Sequence, residues 1–150
     1  MFESRIAKIL VFTVLIVFVA VKASASEGGD SMFDWEPLME AITQVESEGN
    51  AKAQSGNCCG AMQIKPILVE DCNLILRSRG SKKKYTLKDR FNVKKSREMF
   101  VLIMSKYNPS NDIERAIRIW NGGVNYTVKS TQKYYQKVMA AYNKLDVSTS

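Results

Sequence analysis

The chain contains no histidine, so any proton transfer it performs near neutral pH falls to carboxyl groups or to other side chains whose pKa has been moved. The stretch TQVESEGN, residues 43–50, holds two candidates, Glu46 and Glu48. Taking 100° per residue and Leu38 as the origin, Ile42 falls at about 40°, Val45 at about 340°, Glu46 at about 80° and Glu40 at about 200°. Glu46 therefore sits on the shoulder of an apolar stripe, whereas Glu40 is on the solvated back. Partial burial disfavours the charged form of Glu46, and so does a place near the negative end of a helix dipole. A carboxyl that keeps its proton near neutral pH is what general acid catalysis of glycosidic cleavage requires, because the leaving oxygen must be protonated as its bond breaks. The same spacing also suits a boundary glutamate that only snorkels to water.

Most glycosidases use a second carboxylate at a defined distance from the first. None stands out here. Glu48 falls at about 280° on the same count, and Glu70, Asp71 and Asp112 lie in other segments without a motif around them. Three cysteines and no histidine make a poor zinc site, so no metal or other cofactor is expected. A bridge between adjacent Cys58 and Cys59 would be strained, whereas Cys72 is expected to pair with one or the other. The loop so closed, roughly 14 residues, is worth on the order of 3 kcal/mol in the chain-entropy view.

These residues need elements to position them. Leu38, Ile42 and Val45 follow a helical spacing, with Asp34 as a cap and Gly49 as a stop. Pro66 suits the first turn of a second helix bearing Leu68, Cys72 and Ile75, with Gly80 past its end. Asn92 can cap a third, whose stripe is Phe100, Ile103, Met104 and Tyr107 before Asn108 and Pro109. A fourth is expected from Asn111 to Gly122 and Gly123 with Glu114 in the capping position, and a fifth from Ser130 or Thr131, with Tyr134, Val138, Ala141, Tyr142 and Leu145 on one face. Strand-like alternation of useful length is absent. The pattern predicts a compact all-α domain over residues 34–145, followed by a short tail, 146–150.

Several motifs fall on this frame in a telling order. ESEGNAKAQSGNCCGAMQIKP holds Glu46-Ser47, then Ser55, then Gly60-Ala61-Met62-Gln63-Ile64; RFNV follows at 90–93, AIRIWNGG later, and Tyr134 precedes Val138. Together they resemble the soluble lytic transglycosylase (SLT) domain family of peptidoglycan-cleaving enzymes, related in fold to goose-type lysozyme. The resemblance implies a lysozyme-like helical domain with Glu46 as the catalytic acid/base and Ser47 beside it. It implies that Met62, Gln63, Ile64, Trp120 and Asn121 line the glycan groove, and that Tyr134 hydrogen-bonds the carboxyl or the sugar near it. Its chemistry is non-hydrolytic and gives 1,6-anhydromuramoyl products. A hydrolytic muramidase, or an inactive glycan-binding module within a secretion, conjugation or phage apparatus, would share the same residues. Three departures bear on substrate fit. Gly49 stands where an aromatic is usual, Trp120 replaces a tyrosine, and Cys58-Cys59 occupies a stretch of small residues. Trp120 and Tyr134 also lie on apolar stripes, so core packing is an alternative for each.

The first 25 residues read as an export signal: Arg5 and Lys8, an apolar run from Ile9 to Val21, then Ala23 and Ala25. An uncleaved membrane anchor is the alternative reading. Residues 26–33 form a polar linker, and the expected location is the periplasm or cell envelope. Of the 22 basic and 15 acidic residues, the signal carries Arg5, Lys8, Lys22 and Glu3, which leaves a mature net charge of +5. A basic exported domain suits an anionic polymer. Lys82, Lys83 and Lys84 form the one dense basic run and lack interleaved aromatics, so no nucleic-acid partner is expected. The expected partner is the peptidoglycan glycan strand, met by a monomer or by one part of a larger envelope-spanning apparatus.

Overall fold

The computed structural model describes residues 33–148, so the export signal over 1–25 and nearly all of the linker lie outside the described residues. Five helices dominate: α1 (Glu36–Ser47), α2 (Pro66–Ser78), α3 (Val93–Tyr107), α4 (Ile113–Gly122) and α5 (Val128–Ser148). The all-α class expected from the apolar spacing is observed. Between α1 and α2 lies a small antiparallel hairpin, β1 (Gln54–Ser55) with β2 (Cys58–Cys59), in the register Gln54 to Cys59 and Ser55 to Cys58. A 3-10 turn over Leu87–Phe91 precedes α3, with Thr86 and Asp89 satisfying each other's backbone N–H groups as a capping box. Neither of these short elements has a periodicity to announce it.

Helix ends follow local chemistry. Asp34 accepts the Glu36 N–H at 2.9 Å, while the left-handed stop of α1 falls on Glu48 (φ 54°) and continues through Gly49 (φ 83°). Because α1 ends at Ser47, the helical count gives no direction for Glu48. Asn92 caps α3 by accepting the Lys95 N–H at 3.0 Å, as its position suggests. For α4 the cap is Asp112, which accepts the Arg115 N–H at 2.6 Å. Asn111 is left-handed (φ 55°), and Glu114 pairs forward with Arg118 instead of reaching back. The α5 helix begins at Val128, earlier than expected, since Thr127 Oγ1 accepts the Ser130 N–H at 3.1 Å. It also runs past Leu145 into the expected tail.

Against α5 pack α1 and α4, while α2 packs against α3. Their shared core includes Leu38 and Ile42, Ile75, Phe100, Ile117 and Val138, each worth roughly 1.5–3 kcal/mol of transfer free energy when fully buried. A run of tilted rings, Trp35 to Phe100 at 5.5 Å and Phe100 to Trp120 at 5.1 Å, ties α1, α3 and α4 together. Arg118, itself buried, fastens α4 to the start of α5 by donating to Thr131 Oγ1 at 2.9 Å and Val128 O at 3.1 Å.

The expected disulfide is not formed, and Cys58, Cys59 and Cys72 are all free thiols. Cys72 lies on the face of α2 turned to α3, fully buried, with its sulfur 3.7 Å from Met99 O. Cys59 is committed to the hairpin, where it exchanges backbone hydrogen bonds with Ile64, and Cys58 is partly exposed. Desolvation, with the Asp71 charge second, pushes the Cys72 thiol up to about 12. Helix spacing had placed Cys72 on the correct stripe; that stripe meets α3 and not the hairpin.

Candidate active site

A cleft of about 810 Å³ opens along the molecule. Glu46, in the last turn of α1, lies in its wall. Tyr134, from α5, donates its phenolic proton to Glu46 Oε1 at 2.6 Å. Burial raises the Glu46 pKa above the ordinary carboxyl value; the Tyr134 hydrogen bond and then the Lys65 charge oppose it without cancelling it. Tyr134 is itself pushed up by burial and by the neighbouring carboxylate, so the phenol keeps its proton and acts as donor. Helix packing alone brings this pair together, since α1 and α5 are neighbours.

Another stretch of the lining is irregular backbone. Gln63 lies in the cleft with a left-handed backbone (φ 49°), a conformation that costs a non-glycine residue about 1–2 kcal/mol and persists only where the surroundings enforce it. The enforcement is visible. Gln63 Nε2 donates to Gly60 O at 2.9 Å, Ser47 Oγ to Ala61 O at 2.7 Å and Trp120 Nε1 to Met62 O at 3.3 Å. Arg90, 8% exposed, donates through one nitrogen to Asn57 O at 2.8 Å and Ile64 O at 3.2 Å. Gly60 (φ 79°) passes so close to the 3-10 turn that a Cβ would lie 1.8 Å from Arg90 O.

Of the residues expected at the site, Glu46, Gln63, Ile64, Trp120 and Asn121 line the cleft. Ser47 and Met62 do not. Ser47 is turned to Ala61, and Met62 is 0% exposed and belongs to the core, so only its carbonyl takes part, as the acceptor for Trp120. Tyr134 reaches the carboxyl without being part of the cleft wall. Three features of the site have no role that the sequence alone assigns. Lys65 lines the cleft and acts on the Glu46 charge. Arg90 sat inside the RFNV motif without a role. Glu70 and Asp71, set aside for want of a motif, stand in the same cleft. The signal for these carboxylates was present, because in α2 they share the i, i+3, i+4, i+7 spacing of Ile67 and Leu74, a stripe distinct from the buried one of Val69, Cys72 and Ile75.

The description "Transglycosylase SLT domain" matches residues 25–145. The chain belongs to that family. The domain is accordingly of lytic-transglycosylase type, acting on peptidoglycan. No curated protein matches the chain, and no solved structure does.

Proposed function

We propose that this SLT-domain protein is a peptidoglycan lytic transglycosylase in which Glu46 is the single general acid/base for cleavage of the MurNAc-GlcNAc β-1,4 bond. The observation that carries the reading is the Tyr134–Glu46 hydrogen bond at the cleft wall. With Oε1 occupied as an acceptor, the acid proton belongs on Oε2, and the raised pKa keeps it there at a higher pH than an ordinary carboxyl would. Oε2 gives that proton to the leaving glycosidic oxygen as the C1–O bond breaks. The resulting carboxylate then takes the proton of the substrate's own 6-hydroxyl as that oxygen bonds to C1, which closes the 1,6-anhydro ring and restores the acid. No water is consumed. Gln63 and Asn121 provide amides at the cleft surface suited to sugar hydroxyls, and the export-signal pattern of residues 1–25 supports an activity in the periplasm or cell envelope.

A second reading, hydrolysis by the same Glu46, is favoured by Glu70 and Asp71 in the cleft, since an inverting hydrolase needs a second carboxylate to activate water. The two are separated by product mass. A lyase releases fragments one water lighter than a hydrolase does.

The decisive variant is Glu46→Gln. It keeps the shape and can still accept the Tyr134 hydrogen bond, but it cannot donate and recover a proton, and no histidine can stand in. General acid/base catalysis contributes about 10² to 10⁴-fold, so digestion of purified peptidoglycan should fall by that factor while the helical spectrum is unchanged. Cleavage persisting at the wild-type rate would overturn the assignment.

A further inference from the structure

Outside the cleft, the positive charge of the chain is concentrated in one place. Residues 82–95 hold six lysines and Arg90 against a single acid, Asp89, a surplus of six, whereas the mature chain as a whole has a surplus of five. The remainder is therefore close to neutral. The segment runs from the loop after α2 through the 3-10 turn into the first turn of α3, and its packing leaves much of the charge uncompensated. Lys95 takes up Asp89 at 2.6 Å, and Lys83 takes up Glu98 of α3 at 2.6 Å. Lys82, Lys84, Lys88 and Lys94 are exposed and form no ion pair among the described residues. The same segment leaves apolar side chains in water: Leu87 is 51% exposed, Phe91 39% and Val93 39%. A 3-10 turn rises about 2 Å per residue, so Leu87 and Phe91 lie within about 8 Å of each other along it. Arg90 keeps the turn in shape, since its Nε donates to Leu87 O at 2.8 Å while Nη1 reaches Asn57 O and Ile64 O.

Lysines alone would suit any polyanion, and exposed apolar groups alone would suit any apolar surface. Interleaved over a few residues, the two narrow the choice. A soluble phosphate polymer would neutralise the lysines and leave Leu87, Phe91 and Val93 in water. A second copy of the chain would set like charges against each other. A stable protein interface takes about 20–30 residues a side, well beyond what this turn presents. An anionic bilayer meets both demands without matching shape: its headgroups neutralise the lysines, and the acyl boundary accepts single apolar side chains offered by a turn already held in place. The lysine stems can follow those side chains inward while their ammonium groups stay among the headgroups. We propose that the 3-10 turn and the lysines around it form a docking surface for an anionic phospholipid bilayer, which holds the domain at a membrane face. The surface shares no residue with the cleft lining and does not depend on the chemistry assigned to Glu46.

The test uses the chain from Ser26 onward, so that the apolar run of residues 9–21 takes no part; residues 32–150 form one compact unit that contains all five helices. Co-sedimentation with vesicles of mixed phosphatidylglycerol and phosphatidylcholine is compared with co-sedimentation with phosphatidylcholine alone. A lysine near an anionic surface contributes about fivefold in affinity, so the four unpaired lysines should favour the anionic vesicles by at least about a hundredfold. Lys82→Gln with Lys88→Gln should lower that affinity by about twentyfold. Lys133→Gln with Lys137→Gln, an equal loss of charge at exposed positions of α5, should leave it within about twofold. Leu87→Ser with Phe91→Ser should lower it by at least about tenfold with every lysine in place. An unchanged helical spectrum and melting temperature verify the fold of each variant, and Leu87→Ser alone, at the more exposed position, replaces the pair if the pair melts early. Equal affinity for the two kinds of vesicle, a control pair as damaging as the pair at the turn, or serine substitutions without effect, which would leave only a site for anions in general, would each overturn the proposal. Turnover is read in none of these measurements, so this inference and the assignment of Glu46 fail independently.

Discussion

The two walls of the cleft are built by different means. On one, Glu46 is delivered by a regular helix, and its meeting with Tyr134, which is not itself part of the lining, is a by-product of packing α1 on α5. On the other, Gln63 is delivered by a loop with a left-handed backbone, fastened by Ser47, Trp120 and Arg90 through main-chain carbonyls. The first wall tolerates any apolar residues that keep the helices in place. The second depends on particular hydrogen bonds and on one position without a side chain. Damage to the helical wall should therefore appear first in chemistry, and damage to the loop wall first in structure.

Gly60→Ala should have the largest effect on stability. The new Cβ would lie 1.8 Å from Arg90 O, a backbone atom, at a φ of 79°. The left-handed backbone alone costs about 1–2 kcal/mol, and relieving the overlap must displace the loop or the 3-10 turn. Thermal denaturation should show a loss of at least about 2 kcal/mol, and substrate binding should fall with it. A melting temperature within error of wild type would show that the loop wall is no more demanding than the helical one.

Tyr134→Phe probes the helical wall. The ring still fills its place, so stability should fall by only about 1 kcal/mol. Turnover should fall by about tenfold or more if the phenol orients the carboxyl, since a hydrogen bond to a charged group is worth about 1.5–3 kcal/mol. The pH profile gives a sharper readout. The Tyr134 hydrogen bond lowers the Glu46 pKa against the effect of burial, so its removal raises that pKa and moves the alkaline limb of kcat/KM to higher pH. A limb that moved to lower pH, or that did not move, would make Tyr134 a packing residue only.

This asymmetry also explains what could be read from sequence. The helices were legible because Leu38, Ile42 and Val45, or Phe100, Ile103 and Met104, repeat at the helical period, and the shoulder position of Glu46 followed from the same count. The loop wall was legible only as a motif. Nothing in the residue types at 57–64 says that Gln63 is left-handed or that Met62 turns into the core, because the controlling bonds come from Arg90 and Trp120, distant in sequence. The disulfide expectation failed for the same reason. Spacing placed Cys72 on a buried stripe, but which neighbour that stripe meets is a tertiary fact.

Glu46→Gln should also change stability, and in the direction opposite to its effect on turnover. The folded-state pKa of Glu46 is raised above the ordinary value of 4.5. The wild-type contribution is therefore fully present below pH 4.5 and is lost as pH rises through the folded pKa, because the folded chain holds its proton more tightly than the unfolded chain does. Glutamine never ionises. The variant should match wild type in acid and become the more stable of the two towards pH 7, as read by denaturant unfolding across that range. A variant less stable at pH 7 than at pH 4, relative to wild type, would mean that the helical wall holds Glu46 as a favourable charge, and the acid role would lose its physical basis.

The smallest expected effect links the two walls. Lys65 follows Gln63 and Ile64 on the loop side, at the N-cap of α2, and its charge acts on Glu46 on the helical side. It lowers the Glu46 pKa, so Lys65→Gln should raise it and move the alkaline limb of kcat/KM to higher pH, in the same sense as Tyr134→Phe. The shift should be the smaller of the two, because the hydrogen bond outranks the charge among the causes that lower the pKa. Lys65 is exposed, so the interaction should also be screened. The Debye length falls from about 10 Å at 0.1 M salt to about 3 Å at 1 M, so the wild-type and Lys65→Gln limbs should converge as salt is added, while the Tyr134→Phe limb stays displaced. Parallel pH profiles at the two salt concentrations decide the matter. A Lys65→Gln shift that survives high salt would mean that the lysine acts by positioning the loop and not through its charge, and the two walls would then be coupled mechanically as well as electrostatically.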